Sequence, residues 1–272
     1  MNNKVWTGEK KEKTIDSSDL KTRLNLNKKY QSKDFQSWLR KRLAVKTGEN
    51  ILDVGCGTGA QTFFMAEDIG EEGHIDSFDI SSKSIDTLKT TIPEYLKSRV
   101  SAHALDMADI SKFFSENDIN YKYSLAHSSY AIYYSPQRIK VISEMQKKID
   151  KSGRLAIFTP CPSHGMIDFA SKFHEIPEQV YDNLNFGEFT LRPLFRKCFW
   201  EVEVHYFQSE LRIKSAEDFF SFYKATTYFT EDSSESIYKA AKEIIDKNGS
   251  LNFQKSGILL IGSGLRRLAN EI

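Results

Sequence analysis

Long apolar runs, paired cysteines and an excess of one charge are all missing from this chain of 272 residues. No stretch of about eighteen uninterrupted apolar residues occurs, so no membrane span is expected. The opening residues, M-N-N-K-V-W-T-G-E-K-K, lack the apolar segment of a secretion signal. Only three cysteines occur, Cys56, Cys161 and Cys198, far apart and without zinc-ligand spacing. A disulfide framework is therefore not expected, and a reduced, cytoplasmic setting is. The 38 Lys and Arg against 37 Asp and Glu leave a net charge of +1, so the chain as a whole exerts no pull toward nucleic acid or anionic lipid. Residues 1–46 are Lys-rich, a pattern usually belonging to solvated surface. Repeats and low-complexity tracts are absent as well.

What is present is the composition of an ordinary globular protein, 40% apolar and 28% charged. Its length suits one domain of moderate size or a core with an elaborated cap. Between residue 50 and about residue 160, short apolar runs alternate with helix-periodic stretches. Strands are expected at 51–54, 74–79, 100–105, 123–127 and 154–159. Helices are expected at 59–69, from Ser82 onward, near 110–114, and after Pro136 as a first helical residue, with Ile139, Ile142, Met145 and Ile149 as the buried face of this last one. Such alternation implies right-handed crossovers and a parallel sheet covered on both faces, with ligands at the carboxyl ends of its strands. Helical pieces follow at 169–173, 180–186 and 191–199, then a strand within 200–213, helices at 216–225 and 237–245, and a last strand at 256–263. A helix at 34–43 precedes the sheet.

The most informative stretch is 51–59, I-L-D-V-G-C-G-T-G. A buried strand carrying Asp53 stops in a turn with Gly55, Gly57 and Gly59 at every second position. Glycines there tolerate positive φ and leave bare backbone for a ligand, at the N-terminus of the next helix. Cys56 reads as a small residue packed under the turn. Gly55, Gly57 and Ala60 also satisfy the dinucleotide fingerprint, which keeps an NAD-dependent oxidoreductase as an alternative. Against it stand the threefold alternation of glycines, the late start of the motif, and the lack of a suitably placed Tyr-x-x-x-Lys pair. Asp79, ending the second strand in F-D-I-S, is placed to accept from both ribose hydroxyls of either cofactor; capping the next helix is its other reading, though Ser81 or Ser82 would serve there equally.

This pattern resembles motif I of the class I S-adenosylmethionine-dependent methyltransferases, over roughly residues 48–160. The resemblance implies an α/β, doubly wound, mostly parallel seven-stranded sheet of Rossmann-like type. An N-terminal helical arm (1–47) would precede the S-adenosylmethionine-binding core (48–163), and the remainder (164–272) would hold helical cap insertions at about 164–198 and 209–250, before the last strand. It implies that Asp53, Gly55, Cys56, Gly57 and Gly59 surround the methionine part of S-adenosyl-L-methionine, and later of the product S-adenosyl-L-homocysteine. Asp79 would take the ribose, Ile80 the adenine face, Asp106 the adenine amino group and Met107 a backbone contact, with Ser128 completing the set. Asp109 is an alternative helix cap beside Asp106.

After the fourth strand, A-H-S-S-Y-A-I-Y-Y-S-P (126–136) lacks the N/D-P-P-Y/F element of enzymes that methylate planar amines. Ser128 and Ser129 more closely resemble small-molecule enzymes of the ubiquinone and menaquinone biosynthesis type. His127 is the expected catalytic base, with Tyr130 and Tyr133, beside Tyr134, lining the acceptor pocket. Burial of a satisfied histidine and packing of the rings are the competing readings, and His164 is a further candidate base. The aromatic residues of 219–229 would enclose the acceptor or form the cap's own core. The expected reaction is methyl transfer to a small organic acceptor, without a metal or nucleic acid partner; a methyltransferase of RNA or protein is the other alternative.

Overall fold

The computed structural model of the chain describes residues 17–266 and residue 269. The first sixteen residues of the expected arm lie outside them. Seven strands form one sheet in the order β3-β2-β1-β4-β5-β7-β6. They are β1 (Asn50–Val54), β2 (His74–Asp79), β3 (Val100–Ala104), β4 (Tyr123–Ser129), β5 (Ile149–His164), β6 (Phe199–Ile213) and β7 (Leu251–Leu265). The first five pair in parallel, and β7 runs antiparallel between β5 and β6. This is the doubly wound α/β sheet that the alternation predicted.

Period-two alternation explains why both faces are covered. Ile51, Leu125, Ala156 and Leu259 pack into one core, whereas Leu52, Ala126, Leu155 and Leu260 pack into the other. Apolar side chains thus leave both sides of the central strands, as a sheet sandwiched by helices requires. On the first face lie α2 (Phe35–Leu43) and α3 (Ala60–Asp68). Helix α2 starts where Asp34 caps the Ser37 amide at 2.6 Å. It buries Leu39 and Leu43, and packs Phe35 and Trp38 at tilted and edge-on angles against Phe158 and Phe207. On the second face lie α5 (Ile110–Glu116) and α6 (Arg138–Lys148). Helix α4 (Ser82–Thr91) is capped by Ser81, as expected. Two details differ from expectation: Pro136 lies in a turn two residues before α6, and Ile149 is already the first residue of β5.

Strands β5, β6 and β7 are much longer than their apolar runs. Beyond the sheet, β6 and β7 continue paired from Gln208↔Ser256 to Ile213↔Leu251. This extension carries a cap of α7 (Gly165–Ala170), α10 (Ala216–Lys224) and α11 (Ser234–Asn248). The cap has its own core, in which Phe169, Phe219, Phe222, Tyr223, Ile237 and Phe253 are buried. Most of the aromatic residues weighed as acceptor contacts therefore belong to packing. Helix α1 (Ser17–Tyr30) is fastened to this cap: Leu26 enters its core, and Tyr30 Oη and Lys29 Nζ each reach Asp218 Oδ2 at 2.6 Å.

Between β5 and β6, α8 (Glu178–Asn185) runs through a π-helical turn, Phe186–Leu191, into α9 (Arg192–Cys198). Gly187 in that turn touches the sheet so closely that a Cβ would lie 2.3 Å from Thr159 Oγ1 and 2.5 Å from Ile258 Cγ2. Gly187→Ala is therefore expected to destabilise the fold by about 1–3 kcal/mol through overpacking, read from urea unfolding midpoints; an unchanged midpoint would contradict the close contact.

Candidate active site

The end of β1 shapes the site. The amides of Gly55 and Cys56 both donate to the Phe78 carbonyl, at 2.7 and 3.0 Å, and tie the turn to β2. At Gly55 a Cβ would meet that of Ala131 at 2.1 Å, so this glycine is required by close approach. Gly57 differs. Its φ is +55, yet among the described residues a Cβ there would meet only Leu20 Cδ2 of α1, at 3.4 Å. The bare backbone of Gly57 is thus covered, among the described residues, by α1 alone. Gly59 caps α3 with no side-chain acceptor, leaving the first amides of the helix to the mouth of the turn. Cys56 is buried under the turn beside Ile85, Leu88 and Ala102, and burial pushes its thiol well above the ordinary range.

Asp53 does not face the opening. It is buried, with Oδ2 accepting from Thr62 Oγ1 at 2.7 Å and Oδ1 facing His127 Nδ1 at 2.9 Å. The other ring nitrogen of His127 lies 2.9 Å from Ser129 Oγ. Parallel pairing of β1 with β4 sets Asp53 directly beside His127. A neutral imidazole donating from Nδ1 to the carboxylate and accepting from Ser129 satisfies every member of this chain. His127 is only 1% exposed and has no open nitrogen, so it does not stand at the strand end where a base would meet an acceptor directly.

At the end of β2, Asp79 is partly buried. Its Oδ2 accepts from the Gly57 amide and its Oδ1 from the Ser81 amide, both at 2.9 Å. Burial holds its carboxyl above the usual range against these two amides. Each oxygen accepts one of these hydrogen bonds and has capacity for a second. The neighbouring Ile80 is 61% exposed, a large apolar side chain with nothing over it. Asp106 is exposed and its Oδ1 takes the Ala108 amide at 2.9 Å, so Asp106 rather than Asp109 makes the local cap. Met107 reaches toward Gly55, with Cε 3.8 Å from a Cβ placed there.

On the other side of the turn, β4 ends in Tyr130, which holds φ at +55, a left-handed conformation uncommon for a bulky residue. Its ring packs between Phe35 and Phe158, and its buried hydroxyl finds no partner among the described residues. The Ser128 hydroxyl is likewise buried without a partner among them. Tyr133 is buried and its ring lies tilted against that of Tyr134, with centroids 4.5 Å apart. His164 closes β5, and burial, with Lys255 nearby, draws its pKa down to about 4. Two further residues, Arg23 of α1 and Lys255 of β7, reach this region. Sequence reasoning missed both, because an isolated cation in a Lys-rich arm or ahead of a strand carries no local signal. Among the described residues no group of three His, Cys, Asp or Glu is arranged to hold a metal ion, and no helix is long and apolar enough to cross a membrane.

Comparison with known proteins agrees with this geometry. A family model described as a methyltransferase domain matches residues 45–212. The aklanonic acid methyltransferase of a Streptomyces species is 28% identical over 123 residues, covering 45% of this chain and 53% of that protein. The magnesium-protoporphyrin O-methyltransferase of Rhodobacter capsulatus is 31% identical over 116 residues, covering 43% and 46%. A demethylmenaquinone methyltransferase of Listeria welshimeri is 27% identical over 119 residues, covering 43% and 47%. The chain thus spans about half the length of the curated relatives it matches. Among solved structures, the YcgJ protein of Bacillus subtilis superposes with a TM-score of 0.56 at 13% identity, covering 85% of this chain and 97% of that one, a likeness of fold. With the match extending over more than half of its length, the chain belongs to the methyltransferase-domain family, the class I S-adenosylmethionine-dependent methyltransferases.

Proposed function

We propose that this chain transfers a methyl group from S-adenosylmethionine to a small organic acceptor held beneath α1 and the cap. The observation that carries the reading is the placement of α1. Leu20 lies over the Gly57 backbone while the other end of the helix is fixed to Asp218 of the cap. A roof tied in this way favours an enclosed acceptor over an RNA or protein laid across an open groove.

The residues present fit the cofactor. The space beside Gly57 suits the methionine part, the free lone pairs of Asp79 suit the ribose hydroxyls, and the bare face of Ile80 suits the adenine. Asp106 keeps Oδ2 for the adenine amino group while Oδ1 caps the backbone. The NAD-dependent alternative loses its footing with the family match, since the glycine spacing it rested on is explained by the methyltransferase turn.

When bound, the donor supplies a sulfonium methyl that is already electrophilic. The protein's task is then mainly alignment and exclusion of water, effects worth about 7–11 kcal/mol in favourable model systems. Tyr130 and Tyr133 would form the wall facing the acceptor. His127, enclosed between Asp53 and Ser129, is read as a positioning residue that joins the strand ahead of the glycine turn to the strand ahead of Tyr130. A carboxylate acceptor would require no base at all, whereas an alcohol or phenol would have to lose its proton to another group.

Four outcomes test this reading. Calorimetric titration should show S-adenosylhomocysteine binding to the wild-type chain and no comparable binding of NADH; the reverse preference would overturn it. Gly57→Val should abolish that binding, because its side chain would fill the space proposed for the methionine part, and Asp79→Ala should weaken it by about 1–3 kcal/mol. Unchanged affinity in either variant removes the corresponding contact. His127→Ala strips the buried Asp53 carboxylate of one of its two hydrogen-bond partners and should cost about 1.5–3 kcal/mol of unfolding free energy. A loss below about 1 kcal/mol would argue against a positioning role.

A further inference from the structure

Resting on the reading above, we propose that the acceptor carries an anionic group, a carboxylate or a phosphate, and that Arg23 and Lys255 bind it. His164 and Tyr130 supply hydrogen bonds at the same place. Four elements converge there. Lys255 and His164 are register partners across β7 and β5. Lys255 Nζ lies 5.3 Å from the ring centroid of Tyr130, at the end of β4. Arg23 projects from α1 one turn beyond Leu20, the residue over Gly57.

The polar atoms gathered at this point are unmatched. Arg23 Nε, Tyr130 Oη and His164 Nδ1 are all buried without a hydrogen-bond partner among the described residues. No carboxylate among the described residues pairs with Arg23 or Lys255. The nearby Glu188 is engaged by Arg192 and by the Tyr206 hydroxyl. Two cations brought out of water without a counter-charge are costly, and a bound anion supplies what is missing. The groups also sense one another. Burial and then the charge of Arg23 draw the Lys255 ammonium down to about 7, and burial lifts the Tyr130 and Tyr228 hydroxyls well above their usual range while Arg23 opposes it. An anion at this site restores the charge on Lys255 by direct pairing.

Position separates this group from the donor. The glycine turn follows β1, and Lys255 stands three strands away through β4 and β5, roughly 14 Å at the usual strand spacing. A ligand reaching Lys255 has therefore passed beyond the methionine part of the donor, whose own carboxylate is the other possible source of negative charge.

The test uses benzoate and phenyl phosphate as probes and benzamide as the neutral counterpart of benzoate, titrated into the full chain with and without saturating S-adenosylhomocysteine. Saturable binding of at least one anion is expected, with benzamide weaker by about tenfold or more, the loss of one charge-assisted contact. Lys255→Met and Arg23→Gln should each weaken the anion by a similar factor, while Lys255→Met leaves S-adenosylhomocysteine affinity within about twofold, which also reports that the variant is folded. Benzamide binding as tightly as benzoate, no saturable binding of either anion, or anion affinity unchanged in Lys255→Met overturns the proposal. A parallel loss of S-adenosylhomocysteine affinity in Lys255→Met also overturns it, by assigning the cluster to the donor's carboxylate. Wild-type chain that binds the anions but not S-adenosylhomocysteine overturns the methyltransferase reading and leaves the anion site standing.

Discussion

One buried carboxylate organises the centre of this molecule. Asp53 leaves β1 just before the chain turns, and its two oxygens are taken by Thr62 in the first turn of α3 and by His127 in β4. Strand, helix and neighbouring strand are thereby held in one arrangement at the place where the chain turns through Gly55, Gly57 and Gly59. A charge so deeply buried is tolerated only when its lone pairs are matched, and here the matching continues through His127 to Ser129. The glycine turn takes its shape from this chain of contacts and from the Phe78 carbonyl that receives two of its amides.

Around that centre the fold divides its labour by the two sides of the turn. Toward β2 and β3, Asp79, Ile80 and Asp106 present an acceptor pair, an exposed apolar face and a second carboxylate. Toward β5 and β7 the character reverses, with buried tyrosines and two cations that have no carboxylate opposite them. Helix α1 spans both sides, since Leu20 covers the turn and Arg23 reaches the cationic side, while Tyr30 anchors the helix to the cap. An arm that is merely a lysine-rich surface segment in composition is thus also a wall of the site.

The parts legible in the sequence were those whose cause is local. The first five strands follow from short apolar runs, the glycine turn from three alternating glycines, and the Ser81 cap from its place before an amphipathic run. What escaped depends on partners distant in the chain. The outer half of β7 contains polar residues and is held in register by β6 and by the cap, not by an apolar run. The π-helical turn at Phe186–Leu191 is tied to the contact between Gly187 and the sheet. His127 looked like a base at a strand end because nothing local announces that Asp53 lies directly across from it. Arg23 and Lys255 were invisible for the same reason: each acquires meaning only when α1 and β7 meet over Tyr130.

The central claim is that bare backbone at Gly57, with Asp79 beside it, cradles the methyl donor. A crystal structure of the chain soaked with S-adenosylhomocysteine tests it most directly. The account predicts the homocysteine part along residues 55–59 beneath Leu20, with both ribose hydroxyls on the Asp79 carboxylate and the adenine against Ile80. Density for the ligand elsewhere on the molecule, or none at full occupancy of the soak, would contradict it.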